Sequence, residues 1–323
     1  MSVRLIATFC LSGLIGLLCT ACVAPSKTAH ANSQVTTPKK KGLVSILKYQ
    51  EIAYEPPAGV PPDMAKLDLY RLDDNKPRPL VLLVHGGSWA SGDKAGFTTK
   101  FVPWWVQQGY VVAPVNFRLA SKFRAFPVVK PIDQAEDIAA ALAWLLTNAK
   151  KYQVATDKVV VLGYSSGAHL AALLGTDERF LRQQGVDESK LTAVISLDVH
   201  AYDVPYALDL MKGSVVENNI PIIQHLFGNT AQQQLTSSPI HYLDGWAAKA
   251  LIVSVGKDPA VKGSHGYIVS EAAQRYATAL RNAGHLAEMF HDAGETHSSL
   301  VGGFGEPGDQ VTEKIRTFLD GLE

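Results

Sequence analysis

Gly163-Tyr164-Ser165-Ser166-Gly167 follows an apolar, β-branched run over residues 158–162 and precedes an alanine- and leucine-rich run over residues 168–174. That order predicts a buried strand, a tight turn and a helix. A serine on such a turn projects its hydroxyl above the sheet edge, and the flanking glycines let the chain reverse where a Cβ would collide. Few architectures other than a parallel sheet with covering helices deliver a strand into a helix this abruptly.

The rest of the chain fits that frame. Residues 48–54 and 66–72 alternate and are joined through Pro56, Pro57, Gly59, Pro61 and Pro62, which predicts an opening antiparallel pair. Apolar runs over 80–84, 110–115, 191–197 and 250–255, and a last short one over 287–291, predict further strands. Helical patterns cover 97–108, 132–152, 266–283 and 311–322. The fold class is therefore α/β, a doubly wound, mostly parallel sheet of eight strands including the one before Ser165. Residues 199–246 are too long for a plain connection. They predict a small helical cap, with helices over 204–211 and 220–227, inserted in one domain spanning 47–323.

Lys plus Arg and Asp plus Glu are equal at 30 each, and there is no long basic run, which argues against a nucleic-acid partner or an anionic membrane surface. All three cysteines, Cys10, Cys19 and Cys22, fall in the first 22 residues, so the folded body offers no thiol for a disulfide, a metal or a nucleophile. Residues 1–24 read as an export signal, with Arg4 before an apolar stretch too short to span a bilayer well. Small residues before Cys22 resemble a bacterial lipoprotein signal, with Cys22 as the lipidated residue, although Cys19 stands where that motif usually has Leu, Val or Ile. Cleavage near Ala24, or after Ala29-His30-Ala31, is the alternative and gives a soluble exported protein. Residues 25–46 read as a disordered tether. The expected location is periplasmic, membrane-anchored through a lipid, or secreted.

Serine is a weak nucleophile unless an imidazole takes its proton, and that imidazole needs a carboxylate to fix its tautomer. In strand–elbow–helix folds the acid and the base follow the serine in chain order, each past the end of a strand. Asp258 follows the strand over 250–255, and His297 follows the last strand; Ser165, Asp258 and His297 are the expected triad. Asp198, at the end of the preceding strand, is a rival acid, and Asp292 and Glu295 lie close to His297 in sequence. His85-Gly86-Gly87-Ser88-Trp89 directly follows the strand over 80–84. The N–H groups of Gly86, Gly87 and Ser166 are the expected oxyanion donors, with His85 bracing the loop. Trp89, Tyr164 and Phe227 are expected to line the substrate pocket, with Pro205, Tyr206, Leu208, Met211, Ile222, Ile223 and Leu226 as further candidates under the cap. No cluster of His, Cys, Asp and Glu has metal-ligand spacing. Neither a metal nor a cofactor is expected.

The set HGGSW, Asp133-Gln134-Ala135-Glu136-Asp137 leading to Trp144-Leu145, GYSSGAHLAALL, Ser238-Pro239, GKDP and Thr296-His297 resembles the α/β-hydrolase-fold esterases. Within these it is most similar to the carboxylesterase and arylformamidase-like branch, related to hormone-sensitive-lipase and feruloyl-esterase-like (BD-FAE) proteins. The resemblance covers about residues 47–322. It implies Ser165 as nucleophile, Asp258 as acid, His297 as base, and Gly86, Gly87 and Ser166 around the oxyanion. Lipase-like members have a third glycine where this chain has Ser88, and often alanine where it has Ser166. The implied activity is hydrolysis of small or medium carboxylic esters, a small-molecule substrate being the partner. An arylformamidase-type amide hydrolase is the alternative, and a hydrolase-shaped binding protein without turnover is a third reading. Oligomeric state cannot be read from the sequence.

Overall fold

The computed structural model describes residues 45–57, 59–120 and 129–322. The expected signal over residues 1–24, with Cys22, and residues 25–44 of the expected tether lie outside the described residues.

Eight strands form one sheet: β1 (Ile46–Ala53), β2 (Lys66–Leu72), β3 (Arg78–Val84), β4 (Val111–Val115), β5 (Val154–Tyr164), β6 (Leu191–Leu197), β7 (Lys249–Val255) and β8 (Ala287–Asp292). Their order is β1-β2-β4-β3-β5-β6-β7-β8. β1 pairs antiparallel with β2, and β2 antiparallel with β4, while every later pair is parallel. The expected mostly parallel eight-stranded α/β architecture is therefore present.

The central strands are apolar without alternation because both faces are covered. Leu80, Leu82 and Val84 of β3 enter one core with the helices Pro131–Thr147, Ser166–Leu174 and His265–Asn282. Val81 and Leu83 enter a second core with the helices Phe101–Gln107 and Gln310–Asp320. Two expected helices are divided. The run over 97–108 is a short 3-10 turn, Lys94–Phe97, followed by Phe101–Gln107; Pro103 lacks an N–H and fits only the first turn of that helix. The run over 132–152 breaks at Asn148, whose side chain donates to the Trp144 carbonyl at 2.9 Å.

Within residues 199–246 the helices Val204–Met211 and Ile220–Phe227 form as expected. Val204, Leu208, Met211, Ile223, Leu226 and Phe227 are buried in the first core. Arg275 of the helix His265–Asn282 donates to Asp203 at 2.7 Å, which ties the start of the first of these helices to the body.

Candidate active site

β5 ends at Tyr164 in register with Leu197 of β6, so Ser165 and Asp198 stand level at the ends of neighbouring strands. The Ser165 N–H donates to the Leu197 carbonyl at 2.9 Å, and the Asp198 N–H to that of Val253 at 2.8 Å. Both residues take positive φ, 56° and 58°, which lifts each side chain off the sheet edge at a cost in backbone strain. Two glycines make the turn possible. A Cβ on Gly163 would lie 2.0 Å from the Gly167 carbonyl oxygen, and one on Gly86 would lie 2.8 Å from the Cβ of Ser165.

Ser165 Oγ–H donates to His297 Nε2 at 3.1 Å, and His297 Nδ1–H donates to Asp198 Oδ2 at 2.5 Å. The other oxygen of Asp198 accepts the Val255 N–H at 2.9 Å. Burial of the Asp198 carboxyl favours its neutral form, but hydrogen bonds from His265 and His297 outweigh burial and hold it below the usual carboxylate range. It is thus an anion fixed behind the imidazole. The tyrosine of the elbow completes the support: the Tyr164 ring stacks on His297 at 4.9 Å, and its hydroxyl donates to the His297 carbonyl at 2.6 Å.

The expected acid, Asp258, is corrected to Asp198. Asp258 is exposed, and its hydrogen bonds run through its backbone carbonyl, which accepts from Ser264 Oγ and the Val261 N–H. The loop after β7 turns its carboxylate to solvent, whereas β6 delivers Asp198 beside the nucleophile. Asp292 caps the Gly294 N–H at 2.8 Å, and Glu295 accepts from Ser299, so neither rival serves His297.

His265 went unrecognised in the sequence. It opens the helix His265–Asn282, and its Nε2–H donates to Asp198 Oδ2 at 3.2 Å. Asp198, His265 and His297 bring ligand-type atoms within 4.8 Å of one another. Sequence separations of 67 and 32 residues conceal this group. Both imidazoles donate to the same carboxylate oxygen. The Asp198 hydrogen bond raises the pKa of His265. A raised imidazole pKa contributes stability that is complete below its unfolded value and fades as pH climbs through the folded one. His265→Gln should therefore lower Tm relative to the parent more at pH 5.5 than at pH 8.5, read by thermal scans at both pH values.

Ser166 opens the helix Ser166–Leu174, so its N–H has no intrahelical acceptor. The Gly87 N–H donates to no backbone carbonyl among the described residues, while the Gly87 carbonyl accepts from Ala90, Ser91 N–H and Ser91 Oγ. His85 braces this turn: its Nδ1–H donates to the Gly86 carbonyl at 2.8 Å, and its ring stacks on Phe117 at 4.4 Å. Trp89 is anchored by Nε1–H donating to His169 Nδ1 at 3.2 Å, while His169 Nε2–H donates to the Ser237 carbonyl at 2.7 Å. Burial pushes the pKa of His169 down to about 4, so it is neutral and can both accept and donate.

A cleft of about 220 Å³ opens over Ser165, lined by Trp89, Val199, His200, Val216, Ile222 and Ile223 among others. Of the three aromatic residues expected there, Trp89 lines it. Tyr164 instead supports His297, and Phe227 is buried behind Trp89 at 5.0 Å between ring centroids. Ile222 and Ile223 face the cleft, while Leu208, Met211 and Leu226 are core residues.

The sequence model of the BD-FAE family matches residues 67–272. The esterase LipQ of Mycobacterium tuberculosis is 24% identical over 263 residues, covering 78% of this chain and 58% of LipQ. The kynurenine formamidase of Danio rerio is 27% identical over 248 residues, covering 73% of this chain and 71% of that protein. The chain spans little more than half the length of LipQ. Among solved structures, esterase B from Lactobacillus rhamnosis is similar with a TM-score of 0.64 and 21% identity, covering 86% of both chains.

Proposed function

Because the chain belongs to the BD-FAE family, we propose that it is a serine hydrolase that cleaves small carboxylic esters through an acyl-enzyme intermediate. The observation that carries this is the continuous relay from Ser165 Oγ through His297 to Asp198.

His297 Nε2 takes the hydroxyl proton as Ser165 Oγ attacks the ester carbonyl carbon. The carbonyl oxygen becomes an oxyanion, for which the N–H groups of Gly86, Gly87 and Ser166 are the proposed donors; Gly86 lies against the nucleophile. The imidazolium is stabilised by Asp198 and gives its proton to the departing alcohol as the C–O bond breaks. Water then gives a proton to His297 and attacks the acyl carbon. Collapse of the second intermediate releases the acid and returns the proton to Ser165. Short acyl groups suit a cleft of about 220 Å³ walled by Val and Ile side chains. The formamidase-type alternative uses the same steps on an amide, and likeness to the Danio rerio enzyme supports keeping it as an arm of the test.

Two measurements on the purified protein decide the matter. A fluorophosphonate should label Ser165 stoichiometrically, as a non-catalytic binding protein should not. p-Nitrophenyl butyrate and phenyl acetate should then turn over faster than N-formylkynurenine; the reverse order reassigns the chain to amide hydrolysis. We further propose export, supported by the apolar stretch before Cys22. Mass spectrometry of the mature N-terminus tests it: an unprocessed Met1 overturns export, and a diacylated Cys22 establishes the lipid anchor.

A further inference from the structure

His200 lies two residues beyond the catalytic carboxylate and lines the cleft over Ser165. Its Nε2 is buried and has no hydrogen-bond partner among the described residues. His169, fully buried, is satisfied on both ring nitrogens. The cleft lining mixes aliphatic side chains, among them Val199, Ile222 and Ile268, with polar ones such as Asn219 and His265, none of which pairs with His200 Nε2. An unpaired polar atom in such a wall is costly to keep, and native structures retain few without a purpose. The relay that performs the chemistry, Ser165–His297–Asp198, does not include it.

Its surroundings specify the partner. Burial, reinforced by the neighbouring charge of His265 and opposed by that of Asp198, pushes the pKa of His200 down to about 4. The imidazole is neutral near pH 7, so its Nε2 gives one hydrogen bond or accepts one according to tautomer, and the ring supplies no cation for a carboxylate or phosphate. The Asp198 anion in the same cleft disfavours an anionic group further. A hydroxyl satisfies either tautomer because it both donates and accepts.

We propose that His200 is a specificity-determining residue that hydrogen-bonds a neutral hydroxyl of the substrate, so that the preferred esters carry a hydroxyl close to the scissile bond. This rests on the serine-esterase assignment above and narrows its substrate class. A pocket built to pair with a hydroxyl rejects the isostere lacking it, because the pocket's own polar atom is then stranded.

The test compares kcat/KM within two isosteric pairs. p-Nitrophenyl 3-hydroxybutyrate against p-nitrophenyl 3-methylbutanoate places the hydroxyl in the acyl chain, and 2-hydroxyethyl butyrate against propyl butyrate places it in the alcohol. The parent protein should favour the hydroxyl member of one pair by about tenfold or more. In His200→Leu that ratio should fall to near one, and in His200→Gln, which keeps a donor and an acceptor, it should be largely preserved. A parent that hydrolyses the plain esters without preference in either pair overturns the role of His200 and leaves the esterase assignment standing. A preference that survives in His200→Leu also overturns it. A parent that turns over none of the four esters overturns both. Should His200→Leu fail to fold, the parent ratio and the glutamine variant still decide.

Discussion

Asp198→Asn is expected to lower kcat on a small ester by about 10³–10⁴-fold, while Asp258→Asn leaves it within about twofold, as exposed substitutions usually do. The asparagine oxygen can still accept the Val255 N–H that now bonds Asp198 Oδ1, so the loop end keeps its anchor. Its amide group then faces His297 Nδ1 and donates where the carboxylate accepted. That forces the imidazole proton onto Nε2, the nitrogen that must receive the Ser165 proton, and removes the anion that stabilises the imidazolium. Each variant replaces a carboxylate three residues or fewer past a strand end by its amide, and they differ in whether that carboxylate holds His297 and His265 or faces solvent. Steady-state kinetics with matched circular dichroism spectra check it. Equal losses in both variants, or a larger loss in Asp258→Asn, would return the acid to the β7 loop.

That pair of carboxylates also shows how far the sequence reaches. The nucleophile was legible because its chemistry is written locally: strand, turn and helix are contiguous, and Gly163 sits where a side chain would strike the Gly167 carbonyl. His297 was legible because few histidines follow the last strand. Asp198 and Asp258 carry the same local signal, each beyond a buried strand and each with φ of 58°. What separates them is tertiary. Leu197 is registered with Tyr164, which puts Asp198 beside Ser165, whereas Asp258 sits in a loop that faces water.

The same limit applies to the cap. Apolar periodicity marks Ile222, Ile223, Leu226 and Phe227 as one buried face, but it does not say that Ile222 and Ile223 also line the cleft while the last two are core alone. His265 and His200 had no local signal at all. One becomes recognisable only when the start of a distant helix lands on Asp198, and the other only when a buried nitrogen is found unpaired on a residue that lines the cleft.

The larger effect belongs to the nucleophile. Ser165→Ala should reduce kcat by about 10⁶-fold, because knocking out the serine of such a triad costs about as much as removing all three members. The fold should not suffer. Among the described residues the Ser165 hydroxyl bonds His297 alone, and the backbone bond from its N–H to Leu197 is kept by alanine. The Tm should stay within a few degrees, since a loss of about 0.5 kcal/mol or less is typical where no packing or backbone pairing changes. Fluorophosphonate labelling should vanish with activity, which separates loss of the nucleophile from loss of substrate binding. The double variant Ser165→Ala/Asp198→Asn carries the sharpest consequence. If Asp198 acts only through His297 on the serine hydroxyl, the double variant is no slower than Ser165→Ala alone. A further drop beyond about tenfold would mean that the carboxylate, or the second imidazole it holds, serves a step that does not pass through Ser165.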